Sequence, residues 1–246
     1  SEMCIRDSLY NIDEILARKY LEVPSVDNPN KVLPAKHIKV RIPELQKEVE
    51  LELSDILPRL LPLDKVIDVE YYIPGCPPTP DVAWNALQAL LSGNLPPKGS
   101  IIGASSRSLC DECPLNETKP EEILLKDLKR PHEFIPDPEK CLLAQGLLCL
   151  GPVTRGGCGA LCPKANMPCT GCFGPLNGIA DYGGKALSFI ASIMDYSPLE
   201  EANLNRVYDK IPDWVGTLYR YYLAASKLGG RMGLAKSRLE REVAEV

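Results

Sequence analysis

Apolar residues recur at helical spacing at both ends of the chain and fade in its middle. NIDEILARKYL (11–21) predicts a short amphipathic helix, with Asp13 and Glu14 in the first turn where acids suit the helix dipole. VPSVDNPNKVLPAKHIKVRIP (23–43) is punctuated by proline and predicts a loop. ELSDILPRLL (52–61) is apolar at near-helical spacing, with Pro58 set to limit or kink it. KVIDVEYYI (65–73) is rich in β-branched and aromatic residues and predicts a buried strand. It runs into PGCPPTP and then DVAWNALQALLSG, a predicted helix with Pro80 at its start and Gly93 just past its end. KGSIIGAS (98–105) predicts one more short strand. Strand, loop and helix in that order make a unit of a parallel sheet, whose functional loops lie beyond the strand's C-terminal end. Cys76 sits there.

Over 106–180 the periodicity is lost and Gly and Pro interrupt throughout. Such a stretch buries too little apolar surface to order itself without cross-links or metal. Beyond it, DYGGKALSFIASIMDY (181–196) and DWVGTLYRYYLAASKLGG (213–230) return to helical spacing, and the charged tail 231–246 reads as a solvated or frayed helix. The opening SEMCIRDS (1–8) resembles an assembly scar, so it and Cys4 are set aside from the fold and ligand readings. A genuine disordered N-terminus is the alternative. The expected organisation is therefore 1–8 scar, 9–105 α/β, 106–180 cysteine-rich and 181–246 helical.

Composition sharpens this only in places. The chain has 246 residues, 45% hydrophobic and 25% charged, ordinary for a globular protein. Its 23 prolines are roughly twice the usual share of about 5% and favour loops. A net charge of −5 argues against nucleic acid as the main partner. No apolar run approaches the ~20 residues needed to span a bilayer.

Eight of the ten cysteines lie between 110 and 172: Cys110, Cys113, Cys141, Cys149, Cys158, Cys162, Cys169 and Cys172. Cys110/Cys113 and Cys169/Cys172 have C-x-x-C spacing, which lets one tight turn aim two thiolates at one metal centre. Disulfides need an oxidising compartment, for which no secretory signal is visible. Zinc suits C-x-x-C pairs on short knuckles. The uneven gaps among the other four suit a bulkier iron–sulfur cluster reached from scattered loops. Gly156, Gly157, Gly159, Gly171 and Gly174 are placed to bring backbone N–H groups to the sulfurs, and Leu147, Leu148, Leu150, Leu161, Met167 and Phe173 to exclude water. Iron–sulfur is favoured, with zinc the open alternative.

The motifs C-x7-C-x-G-P-x-T and P-C-x-G-C-x-G-P, with PGCPPTPD after a strand, resemble the small, electron-transferring subunit of nickel–iron hydrogenases. CDEC (110–113) and GCGALCP (157–163) look closest to the cytoplasmic type. That type comprises the F420-nonreducing hydrogenases and the sulfhydrogenase delta subunits, in the superfamily of the 20 kDa subunit of NADH:ubiquinone oxidoreductase. The resemblance implies a flavodoxin-like parallel-sheet domain, incomplete at its N-terminus, then an irregular two-cluster domain and C-terminal helices. It implies that Cys110, Cys113, Cys141 and Cys149 bind a distal 4Fe–4S cluster and that Cys158, Cys162, Cys169 and Cys172 bind a medial one. Cys76 would be one ligand of a proximal cluster. The other three proximal ligands of the family do not occur in this sequence, and LYNIDEILARKYLEVPSVDNP resembles the family segment just after them, so the chain is expected to be truncated. The implied partners are the nickel–iron large subunit and a ferredoxin, flavin or disulfide-reductase acceptor, in the cytoplasm. The respiratory NADH–quinone relative lacks the two-cluster extension, and residues 110–172 argue against it. A non-hydrogenase electron-transfer complex and a zinc-stapled interaction module are the remaining alternatives.

Of the two histidines, His37 and His132, the latter reads as a surface residue of KRPHEFIPDPEKC. The charges of KDLKRPHE (126–133) read as a solvated face. Tyr219, Tyr221 and Tyr222 read as helix packing. No Ser–His–Asp set, phosphate loop or Rossmann glycine fingerprint is found.

Overall fold

A computed structural model of the chain describes residues 16–33, 37–52, 62–195 and 209–227. They fall into two compact units, the first containing the described residues up to 52 and the second those from 62 to 227. Most of ELSDILPRLL, the tail 231–246 and Cys4 lie outside the described residues.

In the first unit the helix expected over 11–21 is described only from Leu16 on, as a wide π-helical turn at Ala17–Leu21. The expected loop over 23–43 is partly wrong. His37–Ile42 forms β1 and pairs antiparallel with β2, Lys47–Glu52. The signal was a strict alternation hidden behind the prolines. Ile38 faces Leu51 and Val40 faces Val49, while Lys39 faces Glu50 and Arg41 faces Glu48. Apolar residues meet at these two positions of one face, where the third pair is Ile42 with Lys47, and opposite charges meet on the other.

The second unit contains a strand–helix–strand unit. β3 (Tyr71–Tyr72) pairs parallel with β4 (Ser100–Ile101), and α1 (Pro80–Ser92) connects them. α1 begins with Pro at its first position and stops where Gly93 turns left-handed (φ 69°), its N–H reaching the Leu90 carbonyl. Both ends follow from local chemistry. The helix buries Val82 and Ala86 where the chain runs past Gly103. A Cβ on Gly103 would lie 2.4 Å from the Val82 carbonyl oxygen, so only glycine permits this approach. The buried strand expected over 65–73 is cut to two half-buried residues. Its partner is equally short, and Val66 and Ile67, beside a 3-10 turn at Leu63–Lys65, are 61% and 53% exposed.

The cysteine-rich stretch is built from short 3-10 turns at Leu109–Glu112, Pro114–Thr118 and Gly151–Val153 and the single-turn α2, Leu161–Lys164. Backbone bonds lay three segments side by side: Leu109 N–H to the Thr154 carbonyl at 2.8 Å, Gly156 N–H to Arg107 at 2.9 Å and Arg155 N–H to Gly174 at 2.8 Å. α3 (Tyr182–Ile193) comes next, with Asp181 accepting the Gly184 N–H at 2.8 Å as its N-cap. α4 is only Trp214–Leu218, shorter than expected over 213–230. Beyond it the chain turns so that its tyrosines reach the cysteine segment: Tyr222 packs on the Tyr182 ring, and Tyr221 Oη lies 3.1 Å from Thr170 Oγ1. Tyr219 covers Gly183. One core joins all of this, including Leu109, Leu128, Leu150, Tyr182, Ile190 and Leu218. No helix among the described residues is long and apolar enough to cross a membrane.

Candidate metal centre

Nine cysteines are described, and all are free thiols. Cys110, Cys113, Cys141 and Cys149 line one cavity. Cys158, Cys162, Cys169 and Cys172 line a second. Leu109 and Pro163 belong to both walls, so the cavities adjoin. Cys172 also faces a larger groove that contains Cys76, at the C-terminal end of β3. The three places therefore run in one order, from the Cys110 cavity through the Cys158 cavity to Cys76.

Local bonds hold each thiol. Cys110 lies in the 3-10 turn Leu109–Glu112, and Cys113 ends it; a capping box between Ser108 and Asp111 closes the start of the turn. Thr118 ties Cys141 to this segment: its hydroxyl donates to the Leu115 carbonyl at 2.8 Å and accepts the Cys141 N–H at 2.8 Å. Cys158 precedes α2, and the exposed Cys162 is on it. Cys169 and Cys172 share a turn through Gly171 (φ 94°), where a Cβ would fall 2.2 Å from Tyr182 Oη.

Burial is the largest cause wherever a cysteine is shifted. It pushes Cys110 up to about 12 against the opposing Lys119, and Cys169 up to about 12 with the Cys149 thiol adding to the rise. Cys113, Cys149, Cys158 and Cys172 are raised too. Backbone N–H groups oppose burial by favouring the thiolate: Leu115 at Cys113, Gly151 and Cys169 at Cys149, Leu161 and Ala160 at Cys158, Gly171 at Cys169, and Cys76 at Cys172. The Thr154 hydroxyl does the same at Cys169 and lies 2.8 Å from Tyr182 Oη. Burial likewise raises Tyr182.

Gly171 delivers an N–H to sulfur as expected. Gly156, Gly157, Gly159 and Gly174 have other partners. Gly156 N–H bonds the Arg107 carbonyl, Gly174 N–H bonds Gly171, and Gly157 and Gly159 donate to the Glu112 carboxylate. Of the residues expected to exclude water, Leu147, Leu150 and Phe173 are buried, but Leu161 is 58% and Met167 49% exposed.

Glu112, Thr118, Thr154 and buried Arg155 were missed by sequence reasoning. Arg155 is 2% exposed and binds the Ser105 carbonyl at 2.7 Å and Asn177 Oδ1. Their partners lie 22 to 50 residues away, except for the local bonds of Thr118 and Thr154 to the Leu115 and Leu150 carbonyls. His132 is exposed. KDLKRPHE is less free than a solvated face: Arg130 Nη1 donates to the Lys210 carbonyl at 2.7 Å and Glu133 pairs with Lys210 at 2.6 Å.

The donor set tests what the sites fit. Each cavity offers four thiols and predominantly apolar walls, and N–H groups are aimed at sulfurs in both. Thiolates buried in this way need a multivalent cationic partner to offset desolvation. A single zinc ion, with Zn–S of about 2.3 Å, requires its ligands to converge on a point. Among the described residues no three His, Cys, Asp or Glu do so. Each cavity gathers four cysteines, the ligand number of an iron–sulfur cluster, so the donor set fits iron–sulfur chemistry.

Comparison with known proteins points the same way. No family model matches the chain. It is 41% identical over 228 residues to the iron-sulfur subunit of the F420-non-reducing hydrogenase of Archaeoglobus profundus, covering 92% of this chain and 67% of that one. It is 36% identical over 222 residues to a subunit of the F420-non-reducing hydrogenase of Methanothermobacter marburgensis, covering 89% and 64%. The delta subunit of sulfhydrogenase 2 of Pyrococcus furiosus is 32% identical over 114 residues, 46% of this chain and 37% of that one. The chain thus spans about two thirds of the length of the first two relatives.

Proposed function

The chain belongs to the family of the F420-non-reducing hydrogenase iron-sulfur subunit, and we propose that it is the electron-carrying subunit of a nickel–iron hydrogenase. Cys110, Cys113, Cys141 and Cys149 would hold a distal 4Fe–4S cluster. Cys158, Cys162, Cys169 and Cys172 would hold a medial one, and Cys76 would supply one ligand of a third, proximal cluster. Residues 9–105 would belong to a flavodoxin-like domain, and 106–180 to the two-cluster domain. When bound, a 4Fe–4S cluster supplies reversible one-electron chemistry at a potential its surroundings tune.

The chain's own residues would position and insulate. Leu109 and Pro163, shared by both cavities, would separate the two sites by one layer of side chain. Leu142, Leu143 and Leu150 are buried around the first set and keep water from it. N–H groups directed at Cys113, Cys149, Cys158, Cys169 and Cys172 would stabilise the negatively charged ligand shell. Electrons from H2 oxidation at a partner large subunit would enter near Cys76, cross the Cys158–Cys172 site and leave from the Cys110–Cys149 site. The acceptor would be a ferredoxin, flavin or disulfide-reductase partner in the cytoplasm.

The observation that carries this reading is the order of the three places, linked by Leu109 and Pro163 on one side and Cys172 on the other. A relay needs such a row; a structural staple does not. The test is iron and acid-labile sulfide analysis with electron paramagnetic resonance after dithionite. About eight irons per chain and reduced 4Fe–4S signals are expected. Stoichiometric zinc without sulfide overturns the reading.

A further inference from the structure

Glu112 lies inside the C-D-E-C turn, one residue before Cys113, yet its carboxylate is bonded 45 and 47 residues away. The Gly157 N–H reaches both oxygens at 2.9 Å, and the Gly159 N–H reaches Oε1 at 3.0 Å. These two donors flank Cys158. Glu112 is not needed to cap its own turn, because Asp111 closes the capping box with Ser108.

The opposing loop is shaped for this contact. Gly157 adopts φ +124°, and a Cβ there would meet the Ala104 Cβ at 2.9 Å. At Gly156 a Cβ would press on the Glu112 carboxyl carbon at 3.3 Å and the Ser108 carbonyl oxygen at 3.1 Å. The glycines before Cys158 therefore admit the carboxylate rather than a sulfur.

Resting on the two-cluster reading above, we infer that Glu112 is a positioning residue for both four-cysteine sites. It pins the backbone on either side of Cys158, and it holds a negative charge between the sites that lowers the reduction potential of each. Its carboxylate lies between the two sets, one residue from Cys113 along the chain and bonded to the N–H groups on both sides of Cys158. Adding an electron beside a fixed negative charge is disfavoured, and more so away from bulk water. Cluster potentials respond to charge and hydrogen bonding around their ligands.

Three variants of the complete chain, purified anaerobically and loaded with iron and sulfide, separate the two roles. Glu112→Gln keeps the length and an oxygen that accepts both N–H groups but removes the charge. Glu112→Asp keeps the charge on a shorter arm, and Glu112→Ala removes both. The readouts are iron and sulfide per chain and the midpoint potentials of both paramagnetic signals in a dye-mediated titration. Glu112→Gln is expected to keep wild-type iron and raise both midpoints, and Glu112→Asp to stay nearer wild-type potentials. Glu112→Ala is expected to lose iron from the Cys158 site. Unmoved midpoints in Glu112→Gln, or movement of only one, overturn the charge role. Full iron in Glu112→Ala overturns the positioning role. A wild-type chain that binds neither iron nor sulfide overturns the cluster reading, and this inference falls with it; a loaded wild type with unresponsive variants overturns the inference alone.

Discussion

The backbone N–H of Cys169 donates to the sulfur of Cys149 at 3.3 Å, and the Leu150 N–H returns to the Cys169 carbonyl at 2.9 Å. A thiol of the first cavity is thereby hydrogen-bonded to the backbone of a thiol-bearing residue of the second. Cys149 and Cys169 are also two of the most buried cysteines, 9% and 5% exposed. The contact is buried and joins the two sets of thiols directly.

Cysteine replacements should therefore divide into three behaviours. Cys141→Ser is expected to lower iron from about eight to about four per chain by emptying the first site alone. Cys172→Ser should do the same at the second site. Cys149→Ser should empty the first site and also shift the paramagnetic signal of the second, because its sulfur accepts the Cys169 N–H. Iron analysis and the paired spectra check this; loss of all iron from either Cys141→Ser or Cys172→Ser would contradict two independent sites.

Glycine replacements separate a crowded position from an open one. At Gly171, with φ +94°, a Cβ would overlap Tyr182 Oη at 2.2 Å. At Gly93, with φ +69°, nothing lies within 4 Å. Gly93→Ala should cost only about 1 kcal/mol from the left-handed backbone and keep its iron. Gly171→Ala should lose the iron of the second site and lower the melting temperature further. Equal melting temperatures for the two variants would show that the Tyr182 contact is not tight.

The raised thiols set a pH dependence for the iron-free chain. In the unfolded chain Cys110 and Cys169 titrate near 9.0; folding raises both to about 12. Below pH 9 both states keep these protons, so the stability from burying neutral thiols is fully present. As pH rises from about 9 towards 12 the unfolded chain loses protons first and is favoured. Tyr219, raised from 10.0 to about 12 chiefly by burial and then by Asp181, acts in the same direction. The urea midpoint of the iron-free chain should be lower at pH 10 than at pH 8. A midpoint that rises with pH would contradict the burial of these groups.

The helix at Pro80–Ser92 was legible because its ends are local: a proline suited to its first turn and a glycine free to turn left-handed after its last. The short strand at Ser100–Ile101 and the helix at Tyr182–Ile193 were legible for similar reasons. The β1–β2 hairpin was overlooked because the prolines around it outweighed the alternation within it. The helix expected over 213–230 shortened because the rings of Tyr219, Tyr221 and Tyr222 are drawn onto Gly183, Thr170 and Tyr182, and tertiary packing overrides helical spacing there. Cysteine spacing pointed to a metal site without dividing it. The division into Cys110–Cys149 and Cys158–Cys172 came from the family resemblance, and the two cavities group the same thiols.

By itself, the sequence determined the inventory: eight thiols in a stretch without helical or strand periodicity, one more thiol after a strand, and helices whose caps are written in adjacent residues. Capping, turn formation and C-x-x-C geometry act over a few residues, so they can be read in order along the chain. Only the tertiary structure decided which thiols share a cavity, that the cavities share Leu109 and Pro163, and that Glu112 reaches past its own turn to Gly157 and Gly159. Those contacts join residues tens of positions apart through irregular loops, where no period in the sequence records which backbone meets which side chain.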